Sequence, residues 1–292
     1  MSEIHLPSPL TLGLTGFPLG HSLSPTLHAA ALAHFHLQGG YQLYPVPPLP
    51  EGKPALAGLL GRLRQGELHG LNVTIPHKQA VLDLVDDLSP TAAAIGAVNT
   101  LVMRGSRLLG DNTDAPGFWN EIQNRWGFAA PGHALILGSG GVARAMVYAL
   151  AAQQWRVTIA AARPEDMQQA HTLAADLAPA GGQLDVILLD HQVLTTLQDV
   201  SLVVNATPLG MSPNVDASAW PEGVPFPPGC CVFDAVYNPA ETRLVRLARA
   251  AGLQAETGLG MLIGQAAVAF ERWTGLQVPL AVLRRSVGQE DG

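Results

Sequence analysis

At 292 residues the chain exceeds what a single hydrophobic core usually serves, so two domains are expected. Hydrophobic residues make up 48% and charged residues only 13%, which excludes a disordered chain. The net charge is −7 and there is no basic run, which argues against a nucleic-acid partner. No apolar run approaches the roughly 18 residues of a membrane span. The opening Met1-Ser-Glu-Ile-His-Leu-Pro7 lacks the charged and apolar regions of a secretory leader. A cytoplasmic protein with no membrane partner is the expectation.

Residues 11–15 read as a first strand ending at Gly16. A loop leads to Ser24-Pro25, which reads as a serine N-cap with proline at the first helical position. That helix runs to about residue 37, where Gly39-Gly40 stops it. Residues 41–46 are a second strand, 54–65 a second helix and 68–75 a third strand, broken by Pro76 with a helix following from His77. The apolar run 92–103 holds a helix end and a strand, and Gly105-Ser106 turns a hairpin back through Leu108-Leu109. Strands alternating with helices point to a mostly parallel sheet.

Asp111-Asn-Thr-Asp114 and Ala115-Pro-Gly117 precede an amphipathic helix carrying Phe118, Ile122 and Trp126, and the domain crossing is placed here. Next comes a short apolar strand, 134–137, then Gly138-Ser139-Gly140-Gly141, then Val142, Met146, Ala149 and Leu150 at helical spacing. Strand, glycine turn and helix are the order a dinucleotide-binding unit needs. Gly138 permits the turn, Gly140 lets a pyrophosphate approach the backbone, and Ala143 lets helix pack on strand. Residues 156–160 supply the next strand at the distance a βαβ unit requires. A helix follows from Pro164, with Met167, Ala170, Ala174 and Leu177 on one face. Strands are expected at 185–189, 201–206, 230–236 and 253–256, with a helix at 239–251. Gly258-Leu-Gly260 reads as a return hinge before helices at 262–273 and 279–287.

Cys230 and Cys231 are adjacent in an apolar run, which fits a strand interior better than a disulfide or a metal site. His34 and His36 point apart, and no zinc spacing occurs, so no metal is expected. Gly20-His-Ser22-Leu-Ser24 lacks the last glycine of a nucleophile elbow. Of the sixteen Lys and Arg residues only Lys53 and Lys78 are lysine. Lys53 falls in an exposed loop, whereas Lys78 follows a strand and a proline. That puts Lys78 at the carboxyl edge of a sheet, where open α/β folds place ligands.

Eight motifs in order resemble the shikimate dehydrogenase family from end to end. They are Gly16-Phe-Pro-Leu-Gly-His-Ser22-Leu-Ser24-Pro25-Thr-Leu-His28, Asn72-Val-Thr74-Ile-Pro-His-Lys78, Gly96-Ala-Val-Asn99-Thr100 and Asp111-Asn-Thr-Asp114 in the first half. In the second half they are Gly138-Ser-Gly-Gly141, Asn205-Ala-Thr-Pro-Leu-Gly-Met211, Asp234-Ala-Val-Tyr237-Asn-Pro239 and Gly258-Leu-Gly-Met-Leu-Ile-Gly-Gln265. The resemblance implies an α/β protein of two domains. An N-terminal substrate domain, residues 1–114, is completed by C-terminal helices, 259–292, and a doubly wound Rossmann domain for NADP spans 115–258.

It also implies interconversion of shikimate and 3-dehydroshikimate with NADP in chorismate and aromatic amino acid biosynthesis, by a monomer or homodimer. The matching residues are Lys78 and Asp114 for proton transfer. Ser22, Ser24, Thr74, Asn99, Tyr237 and Gln265 match substrate positions, with Asn72 supporting the loop. Gly138, Ser139, Gly140, Gly141, Val142, Arg163, Thr207 and Gly258 match cofactor positions. A lysine shielded from water loses its proton more readily, whereas a close carboxylate holds it, and both effects stay open here. Position 161 is alanine, so no carboxylate favours NAD, while Arg163 is available to a 2′-phosphate. Ala162 and Pro164 depart from the family's Asn-Arg-Thr, which relaxes the expected selectivity, and His77 replaces a commonly aromatic residue. The alternatives are a quinate/shikimate dehydrogenase with relaxed cofactor use and a catalytically silent metabolite sensor.

Overall fold

The computed structural model describes residues 6–289. The chain start read above, residues 1–5, and the last three residues of the expected C-terminal segment lie outside the described residues. The first half contributes β1 (Leu10–Gly16), α1 (Ser24–His34), β2 (Gly39–Pro45), α2 (Lys53–Arg64), β3 (Gly70–Val73), β4 (Asp87–Leu88), α3 (Pro90–Ile95), β5 (Thr100–Arg104) and β6 (Arg107–Asp111). These strands form one sheet in the order β2-β1-β3-β5-β6-β4. The β5–β6 hairpin turns at Gly105, whose φ of +60° suits glycine, so β5 alone runs against its neighbours. Leu56, Leu59, Leu60 and Leu63 make the apolar stripe of α2 and pack with Leu71, Val73, Leu101 and Leu108.

Three local expectations change. Ser24 is the first residue of α1 and caps nothing; Leu23 holds the cap position without a side-chain bond. The helix stops at His34, short of the glycines. His36 adopts φ +54°, and the amides of His36 and Leu37 bond back to the carbonyls of Ala33 and Leu32, which closes the end as a Schellman turn. No helix starts at His77. The Lys78 carbonyl accepts from Val98 N–H at 2.8 Å, so it is withheld from the i+4 ladder, and only turns and a short 3-10 segment at Leu82–Leu84 follow.

The chain goes on with α4 (Asp114–Trp126), β7 (His133–Leu137), α5 (Gly141–Ala151), β8 (Arg156–Ala161), α6 (Met167–Leu177), β9 (Gln183–Leu188), α7 (His191–Thr196), β10 (Leu202–Asn205), β11 (Cys231–Asp234), α8 (Arg243–Ala250) and β12 (Ala255–Thr257). It ends with α9 (Leu259–Thr274) and α10 (Leu280–Ser286). The second sheet is parallel throughout, in the order β9-β8-β7-β10-β11-β12. That is a doubly wound sheet whose order reverses between β7 and β10. Leu135, Leu137, Val203 and Val232 pack with Leu244, Val245 and Ala248 of α8. Helix α8 starts four residues later than Pro239 because Thr242 caps it, accepting from Val245 N–H.

By contacts the chain divides into two compact units, one reaching to Gly117 and resuming at Leu262, the other Phe118–Met261. Helices α4 and α9 each run through a division point. Gly258-Leu-Gly260 is therefore not a loop hinge, since α9 has already begun at Leu259. Its glycines serve close approach: an added Cβ would lie 2.2 Å from the Ala235 carbonyl oxygen at Gly258 and 2.1 Å from the Glu121 carboxyl at Gly260.

In the first unit α9 supplies Phe270 and Trp273, which join His28 and Tyr41 in an aromatic cluster. Trp273 also donates from its indole to the Leu101 carbonyl at 3.0 Å. Gly70 faces that indole, and a Cβ there would stand 2.5 Å from three ring atoms. Gly70→Ala should therefore destabilise by about 1–3 kcal/mol through overpacking. A lower urea midpoint followed by tryptophan fluorescence is expected, and an unchanged midpoint would show that the indole moves aside freely.

Candidate active site

Lys78 sits in the turn after β3, and Asp114 is the first residue of α4, just past β6. Lys78 Nζ donates to Asp114 Oδ2 at 2.6 Å, with the two side chains 13% and 8% exposed. The other carboxylate oxygen accepts from Asn99 Nδ2 at 2.9 Å. Asn112 fixes the start of α4, its Oδ1 accepting from the amides of Asp114 and Ala115 while its Nδ2 donates to the Ala97 carbonyl. A shielded ammonium beside an oriented carboxylate is a proton donor and acceptor held at one place, which is what reduction of a ketone or oxidation of an alcohol requires.

The structure brings Asn99 into this centre as a support. Its Nδ2 donates to Asp114 and Thr113, and its Oδ1 accepts from Thr113 N–H and Thr100 Oγ1. A substrate contact from Asn99 thus requires one of these bonds to be exchanged. Asn72 lies behind it, donating to the Asn99 carbonyl and Thr100 Oγ1 and accepting from the Tyr41 hydroxyl at 2.8 Å. Sequence reasoning did not single out Tyr41, Thr100, Asn112 or Thr113. For Asn112 the signal was available, because an Asn two residues before a helix start is a side-chain cap pattern. His77 is buried, and its Nε2 lies 2.8 Å from the Val46 carbonyl, tying the Lys78 turn to the end of β2.

Ser22 is half-buried, and its Oγ accepts from the amide of Ser24, which is itself buried at the start of α1. Thr74 is half-buried directly after β3. Gln265, on α9, is buried and donates from Nε2 to the Leu262 carbonyl at 2.8 Å. Tyr237 belongs to the second unit, in the loop after β11.

The glycine turn also lies in the second unit, after β7 and beside β10, where the strand order reverses. Gly138 has φ +104°, and a Cβ there would sit 2.7 Å from the Thr207 methyl. At Gly140 an added Cβ meets nothing within 4 Å, so the backbone ahead of α5 is open to a bound group. Gly141 begins α5, Val142 is half-buried, and Ala143 is fully buried against the sheet. The Ser139 carbonyl accepts from Gln169. An open glycine turn leading into an eleven-residue helix offers free amides to a pyrophosphate, so the residues present fit a dinucleotide.

The chain also matches known proteins. Residues 14–101 match the shikimate dehydrogenase substrate binding domain, and residues 258–287 match the shikimate 5′-dehydrogenase C-terminal domain. The chain is 43% identical over 277 residues to a shikimate dehydrogenase (NADP(+)) of Symbiobacterium thermophilum, covering 94% of this chain and 92% of that one. It is 43% identical over 276 residues to that of Salinibacter ruber, covering 92% and 94%. The chain belongs to the shikimate dehydrogenase family. Among solved structures, shikimate 5-dehydrogenase from Thermus thermophilus with NADP(H) and shikimate matches with a TM-score of 0.82 at 38% identity, covering 95% of this chain and 98% of that chain. Quinate dehydrogenase from Corynebacterium glutamicum with NAD matches at 0.83 and 32%, covering 95% and 98%.

In this member of the family, Arg163 follows β8 and is 65% exposed. Its guanidinium is engaged locally, as described below. Among the described residues no group of three or more His, Cys, Asp or Glu could hold a metal ion, and no helix is long and apolar enough to cross a membrane. Cys231 opens β11 and Cys230 immediately precedes it; both thiols are free, and burial pushes Cys230 up to about 12.

The Thr207 turn rests on a buried pair. Asn205 Oδ1 accepts from the amide and hydroxyl of Thr207, and its Nδ2 donates to Asp234 Oδ1 at 2.8 Å. Asp234 also accepts from Val236 N–H and the Thr242 hydroxyl. Burial pushes its carboxyl up to about 6, with the Thr242, Val236 and Asn205 bonds pulling the other way. The folded protein therefore holds this proton more tightly than the unfolded chain, where an aspartate titrates near 4. The stabilisation from protonation is full below about pH 4 and is lost as pH rises through about 6. Asp234→Asn should flatten that dependence, read as urea midpoints at several pH values between 4 and 7. Parallel pH profiles for both proteins would place the dependence elsewhere.

Proposed function

We propose that this chain is an NADP-dependent shikimate dehydrogenase, reversibly reducing 3-dehydroshikimate to shikimate in chorismate and aromatic amino acid biosynthesis. The observation that carries the reading is the shielded Lys78–Asp114 pair at 2.6 Å, held on its far side by Asn99. NADPH held at the glycine turn after β7 would supply the hydride for the carbonyl carbon. Lys78 gives its proton to the carbonyl oxygen as that oxygen gains charge, and takes it back in the reverse direction. Asp114 steers the ammonium and compensates its charge, and Asn99 keeps the carboxylate from turning. Ser22 and Ser24 provide uncharged hydroxyls for the substrate carboxylate, while Thr74 and Gln265 provide polar groups for the ring hydroxyls. Tyr237 is assigned to the substrate on the family motif alone.

The domain roles follow the same reading. The segment 1–114 with the C-terminal helices of 259–292 takes the substrate, and the segment 115–258 takes NADP. Gly138, Ser139, Gly140, Gly141 and Val142 would cradle the pyrophosphate, Thr207 stands beside Gly138, Gly258 completes the cofactor positions by the family motif, and Arg163 would face the 2′-phosphate. The protein acts in the cytoplasm as a monomer or homodimer. The match to a quinate dehydrogenase favours one second reading, use of quinate as well. Steady-state rates with shikimate and quinate, each with NADP and NAD, test both. Shikimate with NADP should give the highest kcat/KM, and no turnover of either acid would overturn the proposal.

Lys78→Ala should lower kcat by roughly 10²–10⁴, the range for loss of a general acid–base group, with cofactor binding unchanged. Retention of more than half the turnover would remove Lys78 from the chemistry. Ser22→Ala and Ser24→Ala should raise the shikimate KM about 10- to 100-fold each, since a hydrogen bond to a charged group is worth about 1.5–3 kcal/mol. If KM stays fixed in both, the carboxylate binds elsewhere.

A further inference from the structure

Among the described residues Arg163 is the one cation that closely follows β8, where a ribose 2′-phosphate would be read. The chain carries no other Lys or Arg from Pro164 to Thr242. Its guanidinium is nevertheless already occupied. Nε and Nη2 donate to the two oxygens of Asp166 at 2.9 Å each, and Nη1 lies 3.4 Å from Glu165. The contact is built into the local chain: Pro164–Asp166 form a 3-10 turn, and the Asp166 amide donates back to the Arg163 carbonyl at 3.0 Å. A carboxylate therefore holds the planar edge that best matches a phosphate. The flanking residues offer no substitute, because Ala161 and Ala162 have no polar side chain and Pro164 has no N–H.

We propose that Asp166 is a specificity-determining residue, competing with the 2′-phosphate for Arg163 and so narrowing this enzyme's preference for NADP over NAD. The proposal rests on the NADP-dependent reading above. The pair is exposed, with side chains 65% and 27% accessible, so it holds Arg163 only weakly, and phosphate displaces it at a cost that NAD does not meet. Asp166 also sets a negative charge beside any bound dianion. The ribose of NAD carries no phosphate and is indifferent to both effects.

The probe pair is adenosine 2′,5′-bisphosphate and 5′-AMP, titrated calorimetrically into the full-length protein. Asp166→Asn should bind the bisphosphate about two- to fivefold more tightly, the span of an exposed charge pair, and 5′-AMP as before. The ratio of kcat/KM for NADP over NAD should rise by the same factor. Arg163→Ala should weaken the bisphosphate alone and bring the two cofactors together. Unchanged 5′-AMP binding in each variant certifies an intact site. Bisphosphate affinity that is unmoved or weaker in Asp166→Asn overturns the proposal, the weaker result meaning that Asp166 orients Arg163 for the phosphate. If shikimate is oxidised but the NADP/NAD ratio stays fixed in Asp166→Asn, this inference fails and the parent reading stands. If the bisphosphate responds but shikimate is not turned over, the reverse holds.

Discussion

A three-way backbone tie governs the first unit. The segment around Asn99 is irregular, yet it bonds in three directions: Val73 N–H donates to the Asn99 carbonyl, Val98 N–H to the Lys78 carbonyl, and Asn99 N–H to the Asp111 carbonyl. These bonds bring the end of β3, the Lys78 turn and the start of α4 to one place. The tie also explains why no helix forms after Pro76, since the carbonyl that would propagate one is committed elsewhere. Lys78, Asn99 and Asp114 are 36 residues apart at most, and the hydrogen bonds among their side chains follow from that backbone arrangement.

The second unit solves a related problem with side chains. Asn205 and Asp234 stand opposite each other at the carboxyl ends of neighbouring parallel strands, and Asn205 is also in register with Leu137, the residue before the glycine turn. From that position one buried amide supports the Thr207 turn and one buried carboxyl supports the loop to Tyr237. Burying a carboxyl is costly, and its three donors offset the cost only in part, as its raised pKa records. In both units a buried Asn–Asp contact holds the loops that carry polar groups.

The alternation of strands and helices and the glycine turn were legible in the sequence, because apolar periodicity and glycine chemistry are local. What escaped was short or non-local. Strand β4 is two residues long and exists only through pairing with β6. Helix α7 is one and a half turns held by an Asp190 cap. The end of α1 was read from Gly39-Gly40, whereas His36 closed it first in a left-handed turn that side-chain type alone does not announce. At the candidate site, motif order singles out Lys78 and Asp114, whose side chains the structure bonds to each other, but the support given by Asn72, Tyr41 and Thr100 depends on which strands become neighbours. The aromatic cluster is similar: His28 reads as polar, but it is buried against Tyr41 with centroids 4.3 Å apart, and burial lowers its pKa to about 3. It packs there as a neutral ring.

The distribution of cations gives the proposed mechanism a compositional rationale. Arginine stays charged at any working pH, and this chain pairs it with carboxylates: with Asp87, Asp111, Asp176 and Glu241 among others. A guanidinium cannot surrender a proton near neutral pH, so it cannot serve as an acid and base in turn. An ammonium can. Among cations used almost entirely as arginine, one of only two lysines is shielded and bonded to a carboxylate at the carboxyl edge of the first sheet. The other, Lys53, is exposed at the start of α2. On the proposed reading, lysine at position 78 serves chemistry that arginine cannot perform, whereas at position 163 the fixed charge and planar fork of arginine are what a phosphate needs.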